Sequence, residues 1–248
     1  MTRRSNHRVR LTAMAVIAVI GLAACSSNGN GDGAGNGNGA GNGSGTGSGP
    51  VRVDGEGTTQ IAGAELQTQI DALPLATLTA EQQAGLLQMR EEEKLAHDVY
   101  VTMYDQWQVK VFSNISTAEQ THSDAVKSLL DRYGLDDPAA GNAVGVFTNP
   151  DLQALYTSLV RQGSESLVAA LTVGATVEDL DIADLQTLAT TAPDIDLVYA
   201  NLEKGSRNHL RAFTKQLVKN GSTYTPSYIT QAEYDAIIAG EMEKGIAG

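Results

Sequence analysis

Four long stretches of this chain read as amphipathic helices, and each carries an acid or a histidine inside the apolar stripe it ought to bury. Following the 3–4 residue steps of a helix face, the first stripe runs Leu86, Met89, Glu93, Ala96 or His97, Tyr100, Tyr104, Trp107. The second runs Ile115, Glu119, His122, Val126, Leu129, Tyr133. The third is Leu167, Leu171, Gly174, Glu178, Asp181 or Ile182, Leu185, Leu188, and the fourth is Ile195, Tyr199, Leu202, Ser206, His209, Phe213, Leu217. A lone buried carboxylate is costly and tends to become neutral. Four helices with the same defect imply that the interrupting groups meet in one core.

The helix ends are marked. Thr79 and Gln82 form a capping box that opens the first helix, which runs to about Trp107. Ser116 and Glu119 repeat the pattern and open the second, which runs to about Tyr133 with Gly134 as its stop. Asn149-Pro150-Asp151 starts a short helix ending near Gln162, the third long helix covers Ser164 to about Ala189, and the fourth covers Pro193 to Lys219 before Asn220-Gly221. Thr230 and Glu233 start a last short helix. The connection between the second and third long helices is the one long crossover. The expected fold is therefore all-α: a four-helix bundle with one long crossover and short accessory helices.

Carboxylates and imidazoles converging in such a core repel one another or stay protonated unless a cation joins them. That ligand set suits iron, manganese or zinc. Glu93, followed seven residues later by Tyr100, and then Glu119-Gln-Thr-His122 resemble the first half of a ferritin-like di-iron motif, in which one helix gives a Glu and the next gives Glu-x-x-His. With Glu91-Glu-Glu-Lys-Leu-Ala-His-Asp-Val-Tyr100, Val177-Glu-Asp-Leu-Asp-Ile-Ala-Asp-Leu185 and Gly205-Ser-Arg-Asn-His-Leu-Arg-Ala-Phe213, the chain most resembles a ferritin-like domain of unknown function, number 2202, over residues 79–240. The resemblance implies a ferritin-like bundle and a di-iron centre on Glu93, Glu119, His122, Glu178, Asp181 and His209. His97, Tyr100 and Ser206 would lie around those ligands. The fourth helix departs from the pattern: where Glu-x-x-His is expected it reads Ser206-Arg-Asn-His209. Asp181, one turn after Glu178, is the candidate replacement carboxylate.

Taken singly, each residue has a plainer reading. Glu119 is also the natural third residue of a Ser116 capping box, and His122 or His209 could be a satisfied core histidine. Glu178 and Asp181 would be a solvated acidic patch if the third helix were rotated. Three functions follow: a di-metal oxidase or peroxidase, a non-catalytic metal-binding protein, or a structural or interaction protein with a hydrogen-bonded polar core. No Gly-x-Ser-x-Gly, P-loop or His-Glu-x-x-His is present.

The N-terminus fixes where the chain is expected to work. Arg3, Arg4, Arg8 and Arg10 precede an apolar stretch from Leu11 to Ala24, too short to span a bilayer comfortably, and Leu22-Ala23-Ala24-Cys25 resembles the bacterial lipobox. Residues 1–24 are expected to be a lipoprotein signal, Cys25 the lipid-bearing first residue, 25–78 a Gly/Asn/Ser-rich flexible tether and 79–248 the helical domain. The product would be a membrane-anchored lipoprotein on the extracytoplasmic face, held through the lipid on Cys25. Cys25 is the sole cysteine, so no intramolecular disulfide supports the fold. The chain carries 17 Lys and Arg against 29 Asp and Glu; without the four leader arginines the net charge falls from −12 to −16, which excludes nucleic acid as a partner. A homodimer is left open, and no protein partner is identified.

Overall fold

The computed structural model describes residues 51–53 and 59–245; the signal, Cys25 and the Gly-rich tract lie outside the described residues. The chain order is β1 (Val51–Val53), β2 (Thr59–Ile61), α1 (Gly63–Ala72), α2 (Ala80–Trp107), α3 (Lys110–Tyr133), α4 (Pro150–Gly163), α5 (Leu167–Thr187), α6 (Pro193–Lys219) and α7 (Gln231–Ala239). The fold is all-α apart from the short antiparallel pairing of β1 with β2, whose register sets Val53 opposite Thr59.

The capping box at Thr79 forms as expected: Thr79 Oγ1 accepts from the Gln82 amide at 3.2 Å, and Gln82 Oε1 accepts from the Thr79 amide at 2.9 Å. Helix α2 ends at Gln108, a left-handed residue (φ 54°), and only Gln108 and Val109 separate it from α3. So short a link forces an antiparallel pair. The start of α3 corrects the sequence reading. The helix begins six residues before Ser116, because Val111, Phe112 and Ile115 extend the buried stripe backwards. Ser116 is then an interior residue whose Oγ donates to the Ser113 carbonyl at 3.0 Å, and Glu119 is not a capping residue. Gly134 (φ 64°) ends α3. Asn149 Oδ1 caps α4 by accepting from the Asp151 amide, and Ser166 Oγ caps α5 by accepting from the Ala169 amide.

Helix α2 packs on α3, α5 on α6, α2 on α5 and α3 on α6, closing a four-helix ring; the crossover from α3 to α5 carries α4 against α2 and α5. The apolar core lies in two clusters. One contains Tyr100, Phe112, Ile115, Leu171 and Phe213; the other contains Leu86, Met89, Val126, Leu129, Ile195 and Leu202. On α2, α3 and α6 the interrupting polar residues fall between the two clusters, and on α5 Glu178 and Asp181 stand just before the step from Ile182 in the first to Leu185 in the second, so a buried polar layer crosses the bundle.

The segment expected to be tether is structured in its second half. Ile61, Leu66 and Ile70 are buried in the second apolar cluster, and β2 and α1 pack on α3 and α6. Ile61, Leu66 and Ile70 supply an apolar set large enough to dock, spaced over too few residues to show a helical period from sequence. None of the described helices is long and apolar enough to cross a membrane.

Candidate metal centre

The polar layer is built around Glu119. Its Oε2 lies 2.9 Å from His122 Nδ1, and its Oε1 lies 2.8 Å from His209 Nδ1. Each histidine also faces a second carboxylate: His122 Nδ1 is 3.6 Å from Glu93 Oε2, and His209 Nδ1 is 3.5 Å from Glu178 Oε2. The two imidazoles are nearly parallel with centroids 5.3 Å apart. The arrangement is two half-sites, Glu93 with His122 and Glu178 with His209, sharing one carboxylate. The spacing of α3 explains the junction, since residues three apart lie side by side on a helix face. Gly205 of α6 leaves room for the His122 ring, which a Cβ there would meet at 2.7 Å from Nε2.

These three carboxylates, both histidines and the neighbouring Asp181 are buried. Four of their atoms, Glu93 Oε1, Glu119 Oε1, His122 Nδ1 and His209 Nδ1, have no hydrogen-bond partner. The two Nδ1 atoms each stand at ion-pair distance from a Glu119 oxygen without making a hydrogen bond to it. Buried polar atoms are nearly always satisfied, so a concentration of orphaned donor atoms at one point is what a cation-binding site looks like without its ion. One ligand atom each from Glu119, His122 and His209 falls within 4.8 Å of the others. These side chains could hold a metal ion.

The electrostatics agree. Burial, reinforced by the Glu119 charge, raises Glu93 to about 7 and Glu178 to about 8. Burial and then Glu93 push Asp181 well above the carboxylate range. Burial also opposes the charge on Glu119, but His209 and His122 outweigh it and lower its pKa. Burial works against a positive His122, and Glu119 overcomes it. Burial likewise disfavours charge on His209, while Glu119 and Glu178 draw its pKa up to about 9. Three carboxylates thus hold protons that a cation would displace.

Around this cluster, Tyr100 donates from its hydroxyl to Glu178 Oε1 at 2.6 Å, the position expected for it. Ser206 Oγ donates to Asp181 Oδ2 and to the Leu202 carbonyl, so α6 offers a hydroxyl where a glutamate was expected, and α5 sets Asp181 against it. His97 is not brought to the cluster. Its Nδ1 lies 2.9 Å from Asp98 Oδ1, and its ring is partly exposed in a surface hollow with Arg90 and Lys94.

Sequence reasoning missed Thr59. Its carbonyl accepts from His122 Nε2 at 3.0 Å, and its amide donates to His209 Nε2 at 3.3 Å. The signal for this residue lies in its main chain, which no side-chain pattern reveals. It also missed Glu92, buried beside the cluster, whose pKa is raised well above the carboxylate range by burial and then by Asp184.

A family model described as an uncharacterized protein domain, DUF2202, matches residues 82–241. The uncharacterized protein MJ0754 of Methanocaldococcus jannaschii is 51% identical over 179 residues, which is 71% of this chain and 97% of that protein. The crystal structure of hypothetical protein MJ0754 from Methanococcus jannaschii aligns with a TM-score of 0.68 at 52% identity, covering 69% of this chain and 99% of that chain.

Proposed function

This chain belongs to the DUF2202 family of uncharacterized protein domains, and we propose that its bundle is a ferritin-like centre for two metal ions, iron above all, that acts as a small oxidase or peroxidase. The observation that carries this reading is the set of orphaned buried ligand atoms on Glu93, Glu119, His122 and His209, arranged as two half-sites about one shared carboxylate. Glu119 would bridge, His122 with Glu93 would hold one ion, and His209 with Glu178 the other. Asp181 would supply the carboxylate that α6 lacks. Carboxylate and imidazole donors suit iron, with manganese and zinc as the other candidates. A bound iron pair would supply electrons to dioxygen or peroxide. The protein itself excludes water from the layer, orients Glu178 through Tyr100 and holds displaceable protons on its neutral carboxylates.

The test is anaerobic loading with Fe(II), desalting and metal analysis, alongside His122→Ala and His209→Ala. About two ions per chain, lost in both variants, followed by oxygen or peroxide consumption as Fe(II) is oxidised, is the expected result. Iron bound without any such consumption refutes the oxidase. A second reading, one ion held without turnover, is favoured by Ser206, which gives α6 a hydroxyl bonded to Asp181 where a carboxylate would face the cluster.

We further propose that Cys25 carries lipid and anchors the bundle on the extracytoplasmic face of a membrane. Acyl labelling that is lost in Cys25→Ala tests this; a wild-type protein that remains unlabelled and soluble refutes it.

A further inference from the structure

A row of carboxylates on α5 begins inside the centre and ends at the surface. Glu178, Asp181 and Asp184 follow one another at three-residue steps, which sets them side by side along one face of the helix. Their exposure rises in that order: Glu178 is 2% exposed, Asp181 is 9% exposed and Asp184 is half-buried. Helix α2 runs antiparallel beside them. Tyr100 reaches the Gly174 carbonyl and Glu178 at one end, and a Cβ at Gly85 would meet Leu188 Cδ2 at 3.1 Å toward the other. Between those contacts Glu92 comes level with the turn from Asp181 to Asp184. Asp184 is the charged group that bears most on Glu92, and Glu92 is the charged group that bears on Asp184.

Glu92 stands about 100° round α2 from Glu93, so it meets the seam with α5 rather than the imidazoles. Its Oε1 accepts from Gln88 Nε2 at 2.8 Å, but its Oε2 is buried and has no hydrogen-bond partner. Neither Glu92 nor Asp184 pairs with a Lys, Arg or His among the described residues. A buried carboxylate oxygen left open beside a second carboxylate is an arrangement that a cation completes. The exposed side of Asp184 leaves room for the waters that a hard divalent ion keeps.

We propose that Glu92 and Asp184 form a second cation site, outside the centre, where a divalent ion that accepts oxygen ligands, such as manganese(II) or iron(II), sheds part of its water before passing along Asp181 to Glu93 and Glu178. Two carboxylates without an imidazole hold such an ion less tightly than the centre does, so the site releases what it takes up. The site stands without the centre; its staging role rests on the function proposed above.

The experiment is Mn(II) binding to the full chain, counted by electron paramagnetic resonance, paired with the rate of anaerobic Fe(II) uptake. Wild-type protein should bind about one more Mn(II) ion than Asp184→Asn or Glu92→Gln, and Asp184→Glu should bind as many as the wild type. Both amide substitutions are isosteric, so the difference reads the charge and not the fold. Asp184→Asn should also slow iron uptake by at least about tenfold, the loss expected when a cleft gives up its attracting charge, while the final iron content is unchanged. Equal Mn(II) counts in wild type and Asp184→Asn overturn the site and leave a proton shared between the two carboxyls. A lost Mn(II) ion with iron uptake at the wild-type rate overturns the staging role. A chain that takes up no iron yet binds the Mn(II) ion that Asp184→Asn loses upholds the site and refutes the centre, so the two failures are told apart.

Discussion

Gly205→Ala tests the centre without touching a ligand. Gly205 lies on α6 under the His122 ring, and an added Cβ would fall 2.7 Å from Nε2, with Cε1 closer still, where ordinary contact begins at 3.4 Å. The imidazole must retreat by at least about 0.7 Å. It has nowhere to go, since it is fully buried and its Nε2 is hydrogen-bonded to Thr59. Metal sites tolerate ligand shifts of only about 0.2 Å, so the required movement is several times too large. Overpacking costs about 1–3 kcal/mol, and replacing a mid-helix glycine by alanine returns roughly 1 kcal/mol. The net change in stability is therefore about 0–2 kcal/mol, small enough to leave a folded bundle. Metal affinity should nevertheless fall by at least about a hundredfold, the upper range for disturbing a ligand's support. Metal analysis after desalting, with circular dichroism for folding, reads both quantities. Gly63→Ala is the control, because a Cβ there meets nothing within 4 Å. A Gly205→Ala protein that melts like the wild type and holds metal with wild-type affinity would refute the assigned geometry.

Three further outcomes follow from the polar layer and its supports. Glu93 and Glu178 have folded pKa values raised to about 7 and about 8, by burial first and then by Glu119. The folded state therefore binds more protons than the unfolded chain, and the stability this confers is complete below pH about 4.5 and is lost as pH rises through 7–8. Glu119, lowered, stays ionised across that window and adds no opposing slope. The melting temperature of metal-free protein should fall between pH 5 and 8.5, and metal loading should flatten the fall; a rising curve for the metal-free protein contradicts the assignment. Asp179 accepts from the Tyr224 hydroxyl and the amides of Ser227, Tyr228 and Ile229, tying the loop before α7 to α5. Asp179→Ala should destabilise by at least about 3 kcal/mol in denaturant unfolding, because several buried donors lose their acceptor together. Ser206→Glu would set a new carboxylate against Asp181 and should lower both melting temperature and metal content. Asp181→Ser combined with Ser206→Glu should restore much of both, and a single substitution that raises metal affinity unaided would show that Asp181 is not the relocated ligand.

The fold was legible wherever a local rule acts alone. Thr79, Asn149, Thr230 and Gly134 mark element ends through their own chemistry, and the structure places the ends there. The start of α3 was misread because Ser116-x-x-Glu119 satisfies a capping pattern that only tertiary context can cancel. Phe112 and Ile115 bury the turn before it, and the serine becomes helix interior. Residues 59–72 were misread for the opposite reason. Their apolar side chains are few, and only the faces of α3 and α6 give them something to cover.

The site was legible to the extent that it lives in side chains. Glu93, Glu119, His122, Glu178, Asp181 and His209 stand at helical spacing in apolar stripes, and periodicity alone directs all six inward. His97 shows the limit of that reasoning. It follows Glu93 by one turn, yet a small rotation turns it to Asp98 and the surface. Thr59 shows a deeper limit. Both imidazoles are met at Nε2 by the main chain of one residue, His209 by its amide and His122 by its carbonyl. Any residue but proline presents those groups, so the amino-acid code at position 59 carries almost no trace of the role. What the sequence does encode is the means of holding the strand there: Asn208 on α6 and Thr121 on α3, each adjacent to a histidine and each bonded to the strand. Their side chains place the main chain, and the main chain meets both imidazoles. Substituting Asn208 should therefore disturb both imidazoles without removing any group that touches them.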